Sequence, residues 1–264
     1  MCNSQVIQKL IIDKILKCKY DGCHEINILR GINMRYYVTG KVFPERCDVN
    51  ITEIEMEIKE VGAIKFNCDS SQISVIIDNT NMDQYSAFIF AKDISLIIIT
   101  SFGYANGCGY TVEMITICDD NKISSVYGVG MDELRSSDIN KEFNESFKIA
   151  GKDIFYRFAI RDFTKALVSE FDCPFLCYRA IETIKSSFCE PTLSENAIWE
   201  KMHKNIGSKS SDIMTVIKPF ADPIRHGNYS EFKPTNRAQR VEILNLTKDI
   251  MNKYKEYLIK HKIT

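Results

Sequence analysis

Arg225, His226 and Asn228 place a guanidinium, an imidazole and a carboxamide within four positions of "FADPIRHGNYSEF", residues 220–232. An imidazole titrates near neutral pH, so it can take a proton from a ribose 2′-hydroxyl or return one to a leaving oxygen. A guanidinium can hold two phosphoryl oxygens and stabilise the charge that grows in the transition state. A carboxamide donates one further hydrogen bond. Together these are the groups of a metal-independent ribonuclease site, with Arg225, His226 and Asn228 as candidate catalytic residues. Asp222 and Tyr229 flank the stretch as candidate binding groups. Arg179 and Glu182, from "CYRAIE", are the polar neighbours a helix packed beside it could supply. Adjacent side chains on a helix point about 100° apart, so Arg225 and His226 converge only if Gly227 breaks the helix. The same residues also spell a helix C-terminus. Arg and His suit the negative end of the helix dipole, Gly227 with Asn228 suits a left-handed cap, and Arg225 would then pair with Glu182. Sequence alone leaves both readings open.

Other chemistry is sparser. The histidines are His24, His203, His226 and His261, and of these only His226 adjoins a second catalytic group. His203 is expected on a polar helix face near Lys201 and Lys204, and His261 in a basic tail. Arg179 and Glu182, spaced i, i+3, read as an intrahelical pair. A cysteine nucleophile would need Cys177 or Cys189 to reach His226, and nothing in the spacing argues for that. Trp199 reads as core. The ten cysteines include no CxxC pair, and "CKYDGCH", Cys18 to His24, has ligand-like spacing without a second half. No metal and no cofactor are expected. The N-terminus, "MCNSQVIQKLIIDKILKC", lacks the uninterrupted apolar core of a signal peptide. No apolar run of about 18 residues is visible, so no membrane span is expected. The expectation is a cytoplasmic chain whose cysteines are reduced and mostly buried.

The elements that must position these residues fall into two textures meeting near residue 150. Before it, "ITEIEMEIKEV" alternates Ile54, Met56 and Ile58 against Glu53, Glu55 and Glu57, a half-buried strand. "QISVIID", "YSAFIFA" and "SLIIIT" read as further strands, and Asn106-Gly107 as a hairpin turn before "YTVEMITIC". The first twenty residues read as a short helix capped by Ser4. "GMDELRSSDINKEFNESFKIAGK" reads as a polar, partly helical linker. After it the period becomes 3.6. "DIFYRFAIRDFTKALVSEF" carries an apolar stripe through Phe155, Phe158, Ala159, Phe163, Ala166 and Leu167. Further helices are expected behind Pro174, Ser194, a cap near Asp212 and a cap at Thr235 or Asn236. Pro219 and Pro223 should kink or end the fourth of these five helices. The predicted class is α+β: an N-terminal antiparallel β-sandwich, residues 1–149, followed by a C-terminal α-helical bundle, residues 150–264. The formal net charge is −1, yet residues 151–264 carry 19 Lys+Arg against 14 Asp+Glu, leaving −6 for residues 1–150. That split suits either a polyanion partner for the second half or two halves that dock by opposite charge.

The helical half, with an Arg-polar motif after its third or fourth helix, resembles the HEPN superfamily. A β-rich domain ahead of such a bundle looks like the ApeA-type defence proteins of bacteria and phages. Arg225 matches the family's arginine. His226 stands in the polar position, where asparagine is commonest. The histidine such nucleases usually place further downstream is absent, the residues there being Tyr229, Ser230 and Glu231. The resemblance implies an RNA-related, defence-associated sensor or effector. The helical domain would bind and cut RNA without metal, the β-rich domain would recognise an unknown trigger, and the protein would be a homodimer with facing motifs. The alternative is a non-catalytic interaction or dimerisation module in which the Arg-His-Gly corner is structural.

Overall fold

The computed structural model describes residues 34–58, 61–126, 131–228 and 230–261. The expected N-terminal helix, "CKYDGCH" and Tyr229 lie outside these residues. The chain divides into two compact units at Gly128–Val129, ahead of the expected boundary at 149/150.

Among its described residues the first unit is one antiparallel sheet of six strands: β1 (Met34–Phe43), β2 (Ile51–Ile58), β3 (Gly62–Asp69), β4 (Gln72–Thr80), β5 (Thr111–Asp119) and β6 (Ser124–Val126). Their order is β2-β3-β4-β1-β5-β6. Alternation sets the buried face, with Tyr36, Val38 and Val42 of β1 and Ile73, Val75 and Ile77 of β4 all buried. Among the described residues, what covers that face is a helix, not the second sheet of a sandwich. Helix α1 (Gln84–Asn106) runs through both segments expected to be strands and packs on β1, β4 and β5. Asp83 caps it by accepting from the Ser86 amide at 3.0 Å, and no glycine or proline interrupts it before Gly103. Its β-branched residues are good strand formers, but burial of Ala87, Phe90, Ala91, Ile94 and Ile99 against the sheet overrides local preference. The expected hairpin at Asn106-Gly107 is this helix's end. Gly103 lets the chain fold back there, since a Cβ would sit 2.5 Å from the Cys108 carbonyl oxygen. α1 is long and apolar enough to cross a membrane by length and composition; in the fold one side of it is buried on the sheet.

The second unit holds seven α-helices among the described residues. They are α2 (Ile139–Lys152), α3 (Ile154–Val168), α4 (Cys173–Ser186), α5 (Glu195–Ile206), α6 (Ser210–Asp212), α7 (Lys218–Arg225) and α8 (Arg237–His261). Several starts follow the sequence signals. Ser194 accepts from the Ala197 amide at 3.3 Å. Asn236 and Gln239 exchange side-chain-to-amide bonds of 2.9 and 3.0 Å, a reciprocal cap for α8. The expected linker is helix α2, capped by Asp138 and tied to α8 by Lys255, whose ammonium donates to both Glu142 oxygens at 2.8 and 2.7 Å. Pro219 does not end its helix. A π-helical segment, Ile213–Ile217, precedes it, and the Lys218 amide reaches back five residues to the Ile213 carbonyl. That wider turn accommodates a proline that has no amide hydrogen to donate. The core includes Ile181, Ile184, Met202, Ile217, Leu244 and Tyr254, all fully buried.

Candidate functional site

The Arg225 stretch closes α7. His226 donates its amide to the Asp222 carbonyl at 3.0 Å, Gly227 to Ile224 at 3.2 Å, and Asn228 to Pro223 at 2.8 Å. Gly227 sits at φ +67°, the left-handed conformation. These last two bonds are the paired 5→2 and 6→1 closure of a Schellman cap. The residues that read as a catalytic string therefore satisfy the free carbonyls of a helix end.

Side chains then set the electrostatics. Arg225 Nη1 lies 3.6 Å from Asp222 Oδ1 and 3.9 Å from Glu182 Oε1. Its guanidinium carbon is 5.3 Å from the centre of the Tyr178 ring. Burial, with Glu182 nearby, pushes the Tyr178 hydroxyl above its usual pKa. Asp222 Oδ1 is buried without a hydrogen bond, and Lys218 approaches Oδ2 at 3.9 Å. One arginine thus stands between two carboxylates. The His226 ring is exposed and makes no hydrogen bond among the described residues. Asn228 turns its side-chain oxygen to the Ser230 hydroxyl at 2.6 Å. The structure brings Arg225, Asp222 and Glu182 together and leaves His226 and Asn228 facing solvent.

Arg179 is not part of this group and does not pair with Glu182. Its Nε and Nη2 donate to Asp162 Oδ2 and Oδ1, both at 2.7 Å, a bidentate bridge from α4 to α3. Asp162 is 2% exposed. The bridge raises the Arg179 pKa above its ordinary value. His203 also departs from expectation. It is half-buried, stacks on Trp199 with centroids 5.8 Å apart, and holds Ser208 Oγ at 2.7 Å through Nδ1. Burial lowers its pKa. Cys177 is fully buried and Cys189 exposed, and the described cysteines are free thiols. No group of three or more metal-ligating side chains occurs among the described residues. An open groove of about 560 Å³ runs between the π-helical segment and α8, lined by Asp212, Thr215, Glu242 and Asn245 among others. None of the candidate catalytic or binding residues lines it.

Family comparison reaches both units. Residues 36–127 match the N-terminal domain of a family described as a domain of unknown function, DUF8168, and residues 141–259 match its C-terminal domain. The chain is similar to DUF8168 along both units. No curated protein and no solved structure matches it. The DUF8168-like helical region begins at residue 141, inside α2, in keeping with α2 being packed on α8.

Two surfaces of this unit escaped the sequence reading. Ile139, Phe143 and Phe147 of α2 are 51%, 64% and 72% exposed, and the two phenylalanine rings stack at 5.9 Å. Arg157, Arg161 and Lys165 of α3 are all exposed. Both sets follow i, i+4, i+8 spacing, which was there to be found. Phe158, assigned above to the core stripe of α3, faces outward instead at 37% exposure, with Arg161 stacked over it.

Proposed function

We propose that the helical unit is a non-catalytic interaction module that pairs with a second copy of this chain through α2. The observation that carries this reading is the row of Ile139, Phe143 and Phe147, large apolar side chains left in solvent on a helix anchored elsewhere. α2 is held in place by buried Ile149 and by the Glu142–Lys255 bridge, so the row is not a helix awaiting its own core. Contiguous exposed apolar residues cost solvation unless a partner covers them. A two-fold contact lays the same row against itself, so one sequence supplies both faces. On this reading the Arg-His-Gly corner is structural. Asp222 and Glu182 beside Arg225 oppose the approach of a phosphate, which a ribonuclease site requires.

The test is the mass of the full chain by light scattering across a concentration series. The wild type is expected to form a dimer that dissociates on dilution, because burying three such side chains per copy at about 1 to 2 kcal/mol each must offset the cost of association. Phe143→Ser with Phe147→Ser is expected to be monomeric with an unchanged melting temperature. A wild type that is monomeric throughout overturns the reading. Metal-independent RNA cleavage abolished by His226→Ala would establish the ribonuclease alternative in its place.

A further inference from the structure

Helix α3 presents charge of one sign to solvent. Its fifteen residues contain three cations, Arg157, Arg161 and Lys165, and one acid, Asp162. The cations lie on one line of the helix, since residues four apart face the same way. The acid is turned inward, 2% exposed, and its two oxygens are taken by Arg179. Asp162 therefore offers little to an approaching cation, while it fixes a fourth cation, Arg179, at the edge of the row. Arg179 keeps 39% of its side chain exposed, and Arg161 keeps 55%.

Two aromatic rings interleave with these charges. The Arg161 guanidinium carbon is 4.5 Å from the centre of the Phe158 ring, and that of Arg179 is 5.3 Å from the Phe175 ring. Each contact holds a flexible cation in a fixed place. Arg157 is held too, by bonds from Nε to the Ala150 carbonyl at 2.8 Å and from Nη2 to the Gly151 carbonyl at 3.4 Å. Carboxylates at the two ends of α3 are engaged elsewhere, Asp153 with Tyr254 and Glu170 with Arg240.

We propose that the α3 ridge binds single-stranded RNA, with Arg157, Arg161 and Lys165 on successive phosphates and Phe158 as a platform for a base. A row of exposed cations attracts any polyanion; the partly exposed ring beside Arg161 favours one whose bases are free to stack. This surface is separate from the α2 row that carries the dimer, and a monomer can bind through it. It is also separate from Arg225, which its own carboxylates occupy.

The experiment is fluorescence anisotropy of a labelled 12-nucleotide oligouridylate with the full chain. About three phosphate contacts to a single strand give a slope near −2 in log affinity against log salt, so raising NaCl from about 50 to about 250 mM should weaken binding roughly 30-fold. Arg161→Glu with Lys165→Glu should weaken it at least about tenfold at low salt, because both cations are lost and repulsion is added. Phe158→Leu should weaken it several-fold while keeping the salt slope, which a purely electrostatic surface would not do. Arg225→Ala should leave the affinity unchanged. The proposal is overturned if the wild type does not bind at low salt, if the charge-reversed variant binds equally well, or if Phe158→Leu has no effect. Binding of phosphatidylserine vesicles through the same cations, without binding of the oligonucleotide, would assign the ridge to a membrane surface and also overturn it.

Discussion

The α7 corner and the α3 ridge use the same ingredients, arginine beside an aromatic ring, to opposite effect. At the corner, Arg225 over Tyr178 has Asp222 and Glu182 within 4 Å, and the backbone around it is committed to closing a helix. On the ridge, Arg161 over Phe158 shares one inward-facing carboxylate with Arg179. The difference is not in the arginines. It lies in the counter-charge within reach, which decides whether a guanidinium is spent inside the fold or left for an external anion.

The largest expected effect removes the cation that the ridge spends internally. Arg179→Met leaves the buried Asp162 carboxylate with only Arg161 at 3.7 Å, and should cost about 3 kcal/mol in urea unfolding. A cost below about 1 kcal/mol would mean that Asp162 is not held as a buried ion, and the contrast with the corner would fall. Next comes the bridge that anchors α2. Burial pushes Glu142 up, but hydrogen bonds from Lys255 and Ser146 outweigh it and leave the carboxyl below its usual pKa of 4.5. A depressed carboxylate stabilises the fold above its unfolded pKa, and that contribution is lost as pH falls through the lower, folded value. Glu142→Gln should cost about 2 kcal/mol at pH 7 and flatten the acid limb of a melting-temperature profile below pH 4.5. An unchanged acid limb would show that the bridge does not hold α2.

The corner should yield smaller numbers. Gly227→Ala forces a Cβ into φ +67° and should cost about 1 kcal/mol, read as a shift in melting temperature. Arg225→Ala removes only partly exposed ion pairs and should cost about 0.5 kcal/mol or less. If instead Arg225→Ala destabilised the protein as much as Arg179→Met does, the two regions would not differ in the way described.

What could be read from sequence divides along physical lines. Local signals were legible: the caps at Ser194 and Asn236, the alternation of β2, and the nearness of Arg225 to Glu182. Each depends on neighbours in sequence or on one packed helix. α1 was not legible as a helix, because "SLIIIT" is apolar on every side and has no period until a sheet selects one face of it. Its end at Gly107 imitates a hairpin, since both need a left-handed residue. The Arg179–Asp162 bridge joins residues 17 apart on two helices, and an i, i+3 acid in the same helix was the nearer partner on paper. The α2 row was hidden by the polar residues around it, although its spacing was regular.

Among the described strands, β2 lies at one edge of the sheet, with eight residues of backbone beyond which no strand follows. Glu53, Glu55 and Glu57 are exposed along it, and Lys65 of β3 reaches only the first two. A second chain docking edge to edge would bring its own glutamate row against this one, and like charges on facing strands repel. The acidic row thereby discourages one route by which copies of this protein could join into open-ended strand-to-strand aggregates, while leaving α2 free to form a contact that closes after two.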